Sequence, residues 1–269
     1  LESGEISLNQ SNSKITGVRT NSIYVAKRNS LGEWGEIELL EGEMNTDFDE
    51  GTVSFSADGK TMFFTRCYTE KGESTGAQIC TTTRSGGKWG KVTEVELSKD
   101  SSVTFAHPTL SPDGKYLYYV SDLAGGYGGK DIWRSERNGT QYGAPVNLGP
   151  SINTAGDEMF PYMRENGTLY FSSDGHPGFG GLDIFYANEM EDGNWVVSNM
   201  MYPMNSNGDD FGISYISGVE KGMFSSNRGE KKGYDKLYDF ELPEIEFIIE
   251  GKVSDMNGET IGDATVRIV

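Results

Sequence analysis

The sequence predicts an all-β protein, a five-bladed β-propeller of four-stranded antiparallel blades. Three observations carry that reading: a recurring period of 52 to 56 residues, turn signals at fixed places within it, and a composition rich in Gly and aromatic residues. Trp34, Trp89, Tyr142 and Trp195 each follow a turn, at spacings of 55, 53 and 53 residues. A second marker reads Ser22-Ile-Tyr, Gln78-Ile-Cys, Asp131-Ile-Trp, Asp183-Ile-Phe and Asp235-Lys-Leu-Tyr, at spacings of 56, 53, 52 and 52. The turns Ser56-Ala-Asp-Gly, Ser111-Pro-Asp-Gly and Arg164-Glu-Asn-Gly form a third, with Glu2-Ser-Gly a candidate fourth.

Each period reads as a four-stranded meander. In the third complete unit, strand a (Met159 to Met163) turns at Asn166-Gly167 into strand b (Leu169 to Ser172). A Gly-rich loop leads to strand c (Asp183 to Ala187), and Asp192-Gly193 turns into strand d (Trp195 to Ser198). Asn-Gly and Asp-Gly between apolar alternations are hairpin signals, because the favoured tight turns need positive φ. A single small sheet cannot cover both its faces, so repeated meanders must pack on one another, as propeller blades do. Pro108 and Pro161 fall at equivalent places in strand a, which is tolerable only where that strand is an edge, as it is when it lines a central channel. The first blade lacks strand a and the fifth an obvious strand d. The segment Ile245 to Gly251, or residues upstream of Leu1, would complete the ring. The propeller is assigned to residues 1–243 and a second module to 244–269.

Charge removes several function classes. The chain has 23 Lys and Arg against 41 Asp and Glu, a net charge of −18, which repels nucleic-acid phosphates and anionic lipid. No stretch approaches the roughly 18 apolar residues needed to cross a bilayer. Since the chain opens Leu1-Glu2, an excised piece of a longer protein is expected.

The stretches Phe55-Ser-Ala-Asp-Gly-Lys-Thr-Met-Phe-Phe64 and Leu110-Ser-Pro-Asp-Gly-Lys-Tyr-Leu-Tyr-Tyr119 resemble the TolB-type, WD-repeat-like propeller repeat of bacterial envelopes. Tyr170-Phe-Ser-Ser-Asp-Gly-His-Pro-Gly-Phe-Gly-Gly-Leu-Asp-Ile-Phe185, echoed from Ser121 to Trp133, more narrowly resembles propellers of Bacteroidetes OmpA-family envelope proteins of the PorE-like, type IX secretion kind. The tail from Ile249 to Ile268 is similar to the opening strands of a carboxypeptidase regulatory-like β-sandwich. The resemblance implies a periplasmic, lipid-anchored scaffold with envelope or secretion-system proteins as partners. Peptidoglycan would be held by flanking domains. The fifth blade departs from the pattern, with Tyr215-Ile-Ser-Gly-Val-Glu-Lys-Gly222 in place of the Asp-Gly turn.

Loops joining d to a and b to c emerge on one face of a propeller, so two residue sets are expected to share a surface. The first is acidic: Asp49-Glu50, Asp157-Glu158 and Asp209-Asp210, each after an Asn-rich stretch; the second blade has Thr104-Phe105 instead. Paired carboxylates of different pKa are the apparatus of a glycoside hydrolase. Catalytic roles are unique, however, whereas these acids recur, which points to loop capping or blade-to-blade hydrogen bonds. Asn205-Ser-Asn-Gly-Asp-Asp210 offers hard oxygen ligands for calcium without the spacing of an EF-hand, and Asx-rich turns usually serve their own backbone. The second set is the Gly-rich b to c loops. They lead into strands and not helices, which rejects a nucleotide cradle. Asp131, Asp183 and Asp235 are expected to accept loop N–H groups, and Tyr127, His176, Phe179 and Tyr234 to stand at the tips as partner anchors.

Two histidines, His107 and His176, are too few for a metal cluster, and His107 is expected to hydrogen-bond in the channel wall. Cys67 and Cys80 fall on neighbouring strands of one blade, and the unknown register leaves a disulfide or two free thiols open. The function expected is a non-enzymatic, cofactor-free interaction module with Tyr127, His176, Phe179, Tyr234, Asp157, Glu158, Asp209 and Asp210 on its contact face. A glycan-active hydrolase or a carbohydrate-binding module is the alternative.

Overall fold

The computed structural model describes residues 20–70, 73–100, 102–229, 234–243 and 253–262. Among the described residues, strands fall into five antiparallel sheets that follow one another along the chain, with no helix between them. The first pairs β1 (Tyr24–Val25) with β2 (Glu38–Leu39). The second runs β3 (Asp49–Phe55), β4 (Thr61–Glu70), β5 (Glu73–Ser85) and β6 (Lys88–Trp89), with β7 (Thr93–Glu94) also on β5. The third repeats this plan with β8 (Phe105–Leu110), β9 (Tyr116–Ser121), β10 (Asp131–Asn138), β11 (Gln141–Tyr142) and β12 (Val146–Asn147). Its outer strand, like that of the second, is split into two short pieces. The fourth sheet is β13 (Glu158–Met163), β14 (Leu169–Ser173), β15 (Asp183–Glu189) and β16 (Trp195–Asn199). The fifth is β17 (Asp210–Tyr215), β18 (Lys221–Ser226) and β19 (Lys236–Glu241).

The arrangement is that of a propeller, and the cores show why the repeat is necessary. Four apolar clusters each lie between consecutive sheets. Ile23 and Met44 meet Met62, Phe64 and Cys80; Phe63 and Ile79 meet Phe105, Leu117 and Tyr119. Val120 and Ile132 meet Leu169, Phe171 and Phe185; Tyr170 and Ile184 meet Ile213 and Phe224. Ile23, Ile79, Ile132 and Ile184 of the second sequence marker are all buried. Each isolated sheet would leave these side chains in water, at about 25 cal/mol for every Å² of apolar surface.

Inner strands pack side by side around an axis: β8 lies against β3, β13 against β8, and β17 against β13. Each carries a bulge at one station, where the pairing register shifts, and there Thr52, His107, Phe160 and Gly212 take φ of 51°, 51°, 53° and 65°. Pro108 and Pro161 follow directly, on edge strands β8 and β13, as the sequence requires. Arg28, just after β1, donates to Asp239 of β19 at 2.6 Å, which brings the first and last sheets together.

The turn that departs from the repeat in the fifth sheet has a use. Glu220 takes both arms of Arg164 from the fourth sheet, at 3.0 and 2.6 Å, and Ser217 Oγ donates to Glu165 at 2.5 Å. Arg164 also lies over the Tyr215 ring, 3.9 Å from its centre.

The second sheet departs from the later repeats. In the second sheet β4 and β5 do not end near Cys67 and Gln78 but continue as a longer hairpin, so the Gly-rich loop of later repeats is replaced by paired strand. That register also settles the cysteines. Cys67 lies opposite Ala77, and Cys80 opposite Phe64. The three-residue offset puts the two side chains on opposite faces of the sheet, where no disulfide can form, and both thiols are free. The segment Ile245 to Gly251 and the turn at Glu2-Ser-Gly4 lie outside the described residues. In the tail, Asp255 caps a turn to Gly258, and Ser254 bridges Thr260.

Candidate interaction face

The recurring acids build a seam between sheets. Asp157 Oδ1 accepts the N–H of Lys130 at 2.8 Å, and the Glu158 N–H donates to the Lys130 carbonyl at 2.7 Å. Asp209 and Asp210 do the same to Leu182, at 3.1 and 2.6 Å. Asp49 and Glu50 do so to Asn21, at 2.8 and 3.0 Å. The second carboxylate of each pair then folds back on its own loop. Glu158 accepts Thr154 N and Thr154 Oγ1 at 2.8 and 2.6 Å, and Asp210 accepts Ser206 N and Ser206 Oγ at 2.6 and 2.9 Å.

The Asn one residue before each Thr or Ser clamps the preceding sheet. Asn153 Oδ1 accepts Ile132 N at 2.7 Å while its Nδ2 donates to Ile132 O at 3.0 Å. Asn205 treats Ile184 identically, at 2.7 and 2.8 Å, and Asn45 treats Ile23 at 2.7 and 3.1 Å. The sequence reading passed over this role, although its signal was present as Asn-Thr/Ser four residues before the inner acid. Cations reinforce the seams: Arg66 lies 2.9 Å from Glu50, Arg228 2.6 Å from Asp210 and Lys130 3.5 Å from Asp157. Burial pushes the Glu50 carboxyl up, against the opposing pull of Thr46 and Arg66.

The Gly-rich loops dock onto the same seam. Gly129 N–H donates to Gly156 O at 3.0 Å, and Gly181 N–H to Gly208 O at 3.1 Å. A Cβ on Gly180 would stand 1.9 Å from Gly208 O, and one on Gly128 would stand 2.3 Å from Gly156 O, so only glycine admits this approach. Asp131 accepts the N–H groups of Tyr127 and Gly128 at 2.6 and 3.1 Å, and Asp183 those of Phe179 and Gly180 at 2.8 and 3.0 Å. These two aspartates therefore hold the loop ends, as the sequence implies. Gly229 and Tyr234 flank 230–233, which lie outside the described residues.

The predicted contact residues separate into two groups. Tyr127, Phe179 and Tyr234 stand at the tips, 50%, 50% and 68% exposed. Glu158 and Asp210 do not belong with them: both are fully buried, with their oxygens taken up inside the seam. Asp157 and Asp209 are half-buried and bonded across it. His176 also turns inward, its Nε2 bonded with Ile152 O at 2.8 Å and its ring against Phe171 and Phe185. Alternation along the chain could not distinguish an acid that faces water from one that faces the preceding repeat.

Among the described residues no three His, Cys, Asp or Glu side chains gather as a metal would need. In the stretch from Asn205 to Asp210 the carboxylates and the Asn205 amide are occupied by protein donors and acceptors. An open cleft of about 1000 Å³ lies beside the long hairpin of the second sheet, with Tyr68, Gln78, Glu94, Glu96 and Lys99 among its walls. The Tyr68 hydroxyl donates to Glu94 across it.

No family model matches the sequence, and no curated protein matches it. Solved structures are similar in fold. A thermostable family-43 glycoside hydrolase superposes with a TM-score of 0.53 at 18% identity, over 82% of this chain and 81% of its own. TolB from Acinetobacter baumannii gives a TM-score of 0.42 at 13% identity, over 80% of this chain, which spans 48% of that protein. A putative TolB from Agrobacterium tumefaciens gives 0.43 at 12% identity, over 77% and 81%. At such identities the hydrolase likeness speaks for architecture alone, and it agrees with the sheet order described above: the chain is a β-propeller.

Proposed function

We propose that this propeller is a non-enzymatic protein-interaction or scaffold module whose partner contacts are made by the loop face. One observation carries the reading. The carboxylates that a hydrolase would need recur from sheet to sheet and are committed to the seams, whereas the loop backbone at Tyr127 and Phe179 is held by Asp131 and Asp183 and the aromatic side chains there remain exposed. A rigid scaffold presenting exposed aromatics on loops is a common form of binding surface. The sequence resemblance supports a finer version, in which the module serves an OmpA-family, peptidoglycan-associated envelope protein of the type IX secretion kind, outside the cytoplasm.

Two measurements test it. Peptidoglycan and a polysaccharide panel should remain uncleaved; turnover that disappears in Asp157→Asn would establish a hydrolase instead. Capture of envelope proteins by the 269-residue chain should weaken in a Tyr127→Ala, Phe179→Ala double variant whose melting temperature is unchanged. Undiminished capture would remove the loop face from the account.

A further inference from the structure

One corner of the loop face breaks the repeat in a way that its own packing does not repay. Met201 and Gly149 occupy the same station in successive repeats. Each N–H donates to an Asn side chain two residues earlier, at 2.7 and 2.8 Å, and each carbonyl accepts from the clamping Asn four residues later, at 2.9 Å. Both have positive φ, 61° and 86°. Glycine adopts that conformation freely, whereas a methionine there is strained. Burial does not compensate, for Met201 is 55% exposed and Tyr202 beside it 80%.

The strained station is joined to a loop tip. Asn199 accepts from Met201 N through Oδ1 and donates through Nδ2 to Pro177 O at 3.3 Å, so the Met201 loop and the Phe179 loop are tied together. Phe179 is itself clamped by Asp183. Three exposed apolar side chains thus stand on two loops that this bond joins. Beside them, half-buried Asp209 lies against Gly181 and Leu182, and Arg228, which donates to the Pro203 and Met204 carbonyls, has its charge paired with Asp210.

We propose that Phe179, Met201 and Tyr202 form a docking site for a protein segment that carries a bulky apolar side chain flanked by Lys or Arg. The site rests on the interaction reading above and names the chemistry of its partner. Charge complementarity selects the occupant, because a second copy of a chain with net charge −18 would be repelled, as would an anionic membrane. Strain kept at an exposed position where glycine would serve the same clamp is the pattern of a side chain retained for binding.

The test is fluorescence anisotropy of the 269-residue chain with three synthetic peptides: Leu and Phe interspersed with Lys, the same with Glu for Lys, and the same with Ala for Leu and Phe. Only the first should bind well, and less so as salt rises. Tyr202→Ala and Phe179→Ala should each weaken it at least fivefold. Met201→Gly should weaken it too while leaving the melting temperature equal or higher, a combination that a purely structural residue would not give. Equal binding of the Glu peptide, native affinity in all three variants, or sedimentation showing dimers that dissociate in Tyr202→Ala would each overturn the site. Capture of envelope proteins by the same chain separates the two levels. If it fails in Tyr127→Ala but survives Tyr202→Ala, the loop face stands and this corner falls; if it survives both, both fall.

Discussion

The imidazole of His107 lies nearly flat on the ring of Phe160, centroids 4.1 Å apart and planes 13° from parallel, while its Nδ1 accepts the Phe160 backbone N–H at 3.1 Å. Both residues sit at the bulge station of neighbouring inner strands, and Phe211 continues the ring contact into the fifth sheet at 4.8 Å. The neutral imidazole is the form that can accept this hydrogen bond.

Stability should therefore depend on the protonation of His107. Burial, with Lys130 as the second cause, pushes its pKa down from 6.5 to about 4. Between those values the unfolded chain binds a proton that the folded chain does not, so this contribution is full above pH 6.5 and shrinks as pH falls toward 4. The loss by pH 5 is about 2 kcal/mol. His107→Asn, which tolerates positive φ, should lose that much less between pH 7.5 and 5 in urea unfolding; an unchanged difference would refute the assignment.

The seam predicts unlike effects at equivalent serines. Ser173 Oγ donates to Glu158 at 2.7 Å and Ser226 Oγ to Asp210 at 2.5 Å. At the same station Ser121 lies opposite Phe105, and its buried hydroxyl has no partner among the described residues. Ser173→Ala should cost about 2 kcal/mol, and Ser121→Ala should fall within roughly 0.5 kcal/mol of neutral or stabilise. Equal losses at both sites in denaturant titrations would contradict the seam.

Removing a clamp should be costlier. Asn205 serves both backbone groups of Ile184 and the Asn199 side chain. Asn205→Ala leaves those buried groups unpaired, and about 3 kcal/mol of lost stability is expected from calorimetry or urea unfolding.

Glycine positions should divide by surroundings and not by exposure. Gly180 is exposed, yet Gly180→Ala drives a Cβ into the Gly208 and Ser206 carbonyls and should cost at least about 2 kcal/mol. Gly193, with φ of 79° and open space around it, should lose only about 1 kcal/mol on the same change. A reversed order in thermal melts would show that the loops do not dock as described.

Thiol titration checks the register of the second sheet. Burial raises the Cys67 thiol and pushes Cys80 up to about 11, so neither should react quickly in the folded chain at pH 8. Both should titrate after unfolding without reductant.

The blades were legible along the chain: turn chemistry and period-two alternation are local, so Asn166-Gly167, Asp192-Gly193 and the marker isoleucines placed strands of the fourth sheet within a residue or two of their observed ends. The sequence also showed that Asp157 and Glu158 recur, which weighs against a unique role. Which way each side chain faces is set by the packing of one sheet on the next. The partners of Glu158 and Asn153 are supplied jointly by their own loop and by the preceding repeat, a pairing that no local pattern encodes. Register has the same origin: a slip of one residue turns Cys67 or Cys80 to the other face. The strain at Met201 likewise appears only when its φ is compared with that of Gly149, because backbone conformation there is imposed by the clamp at Asn205 and not by the residue itself.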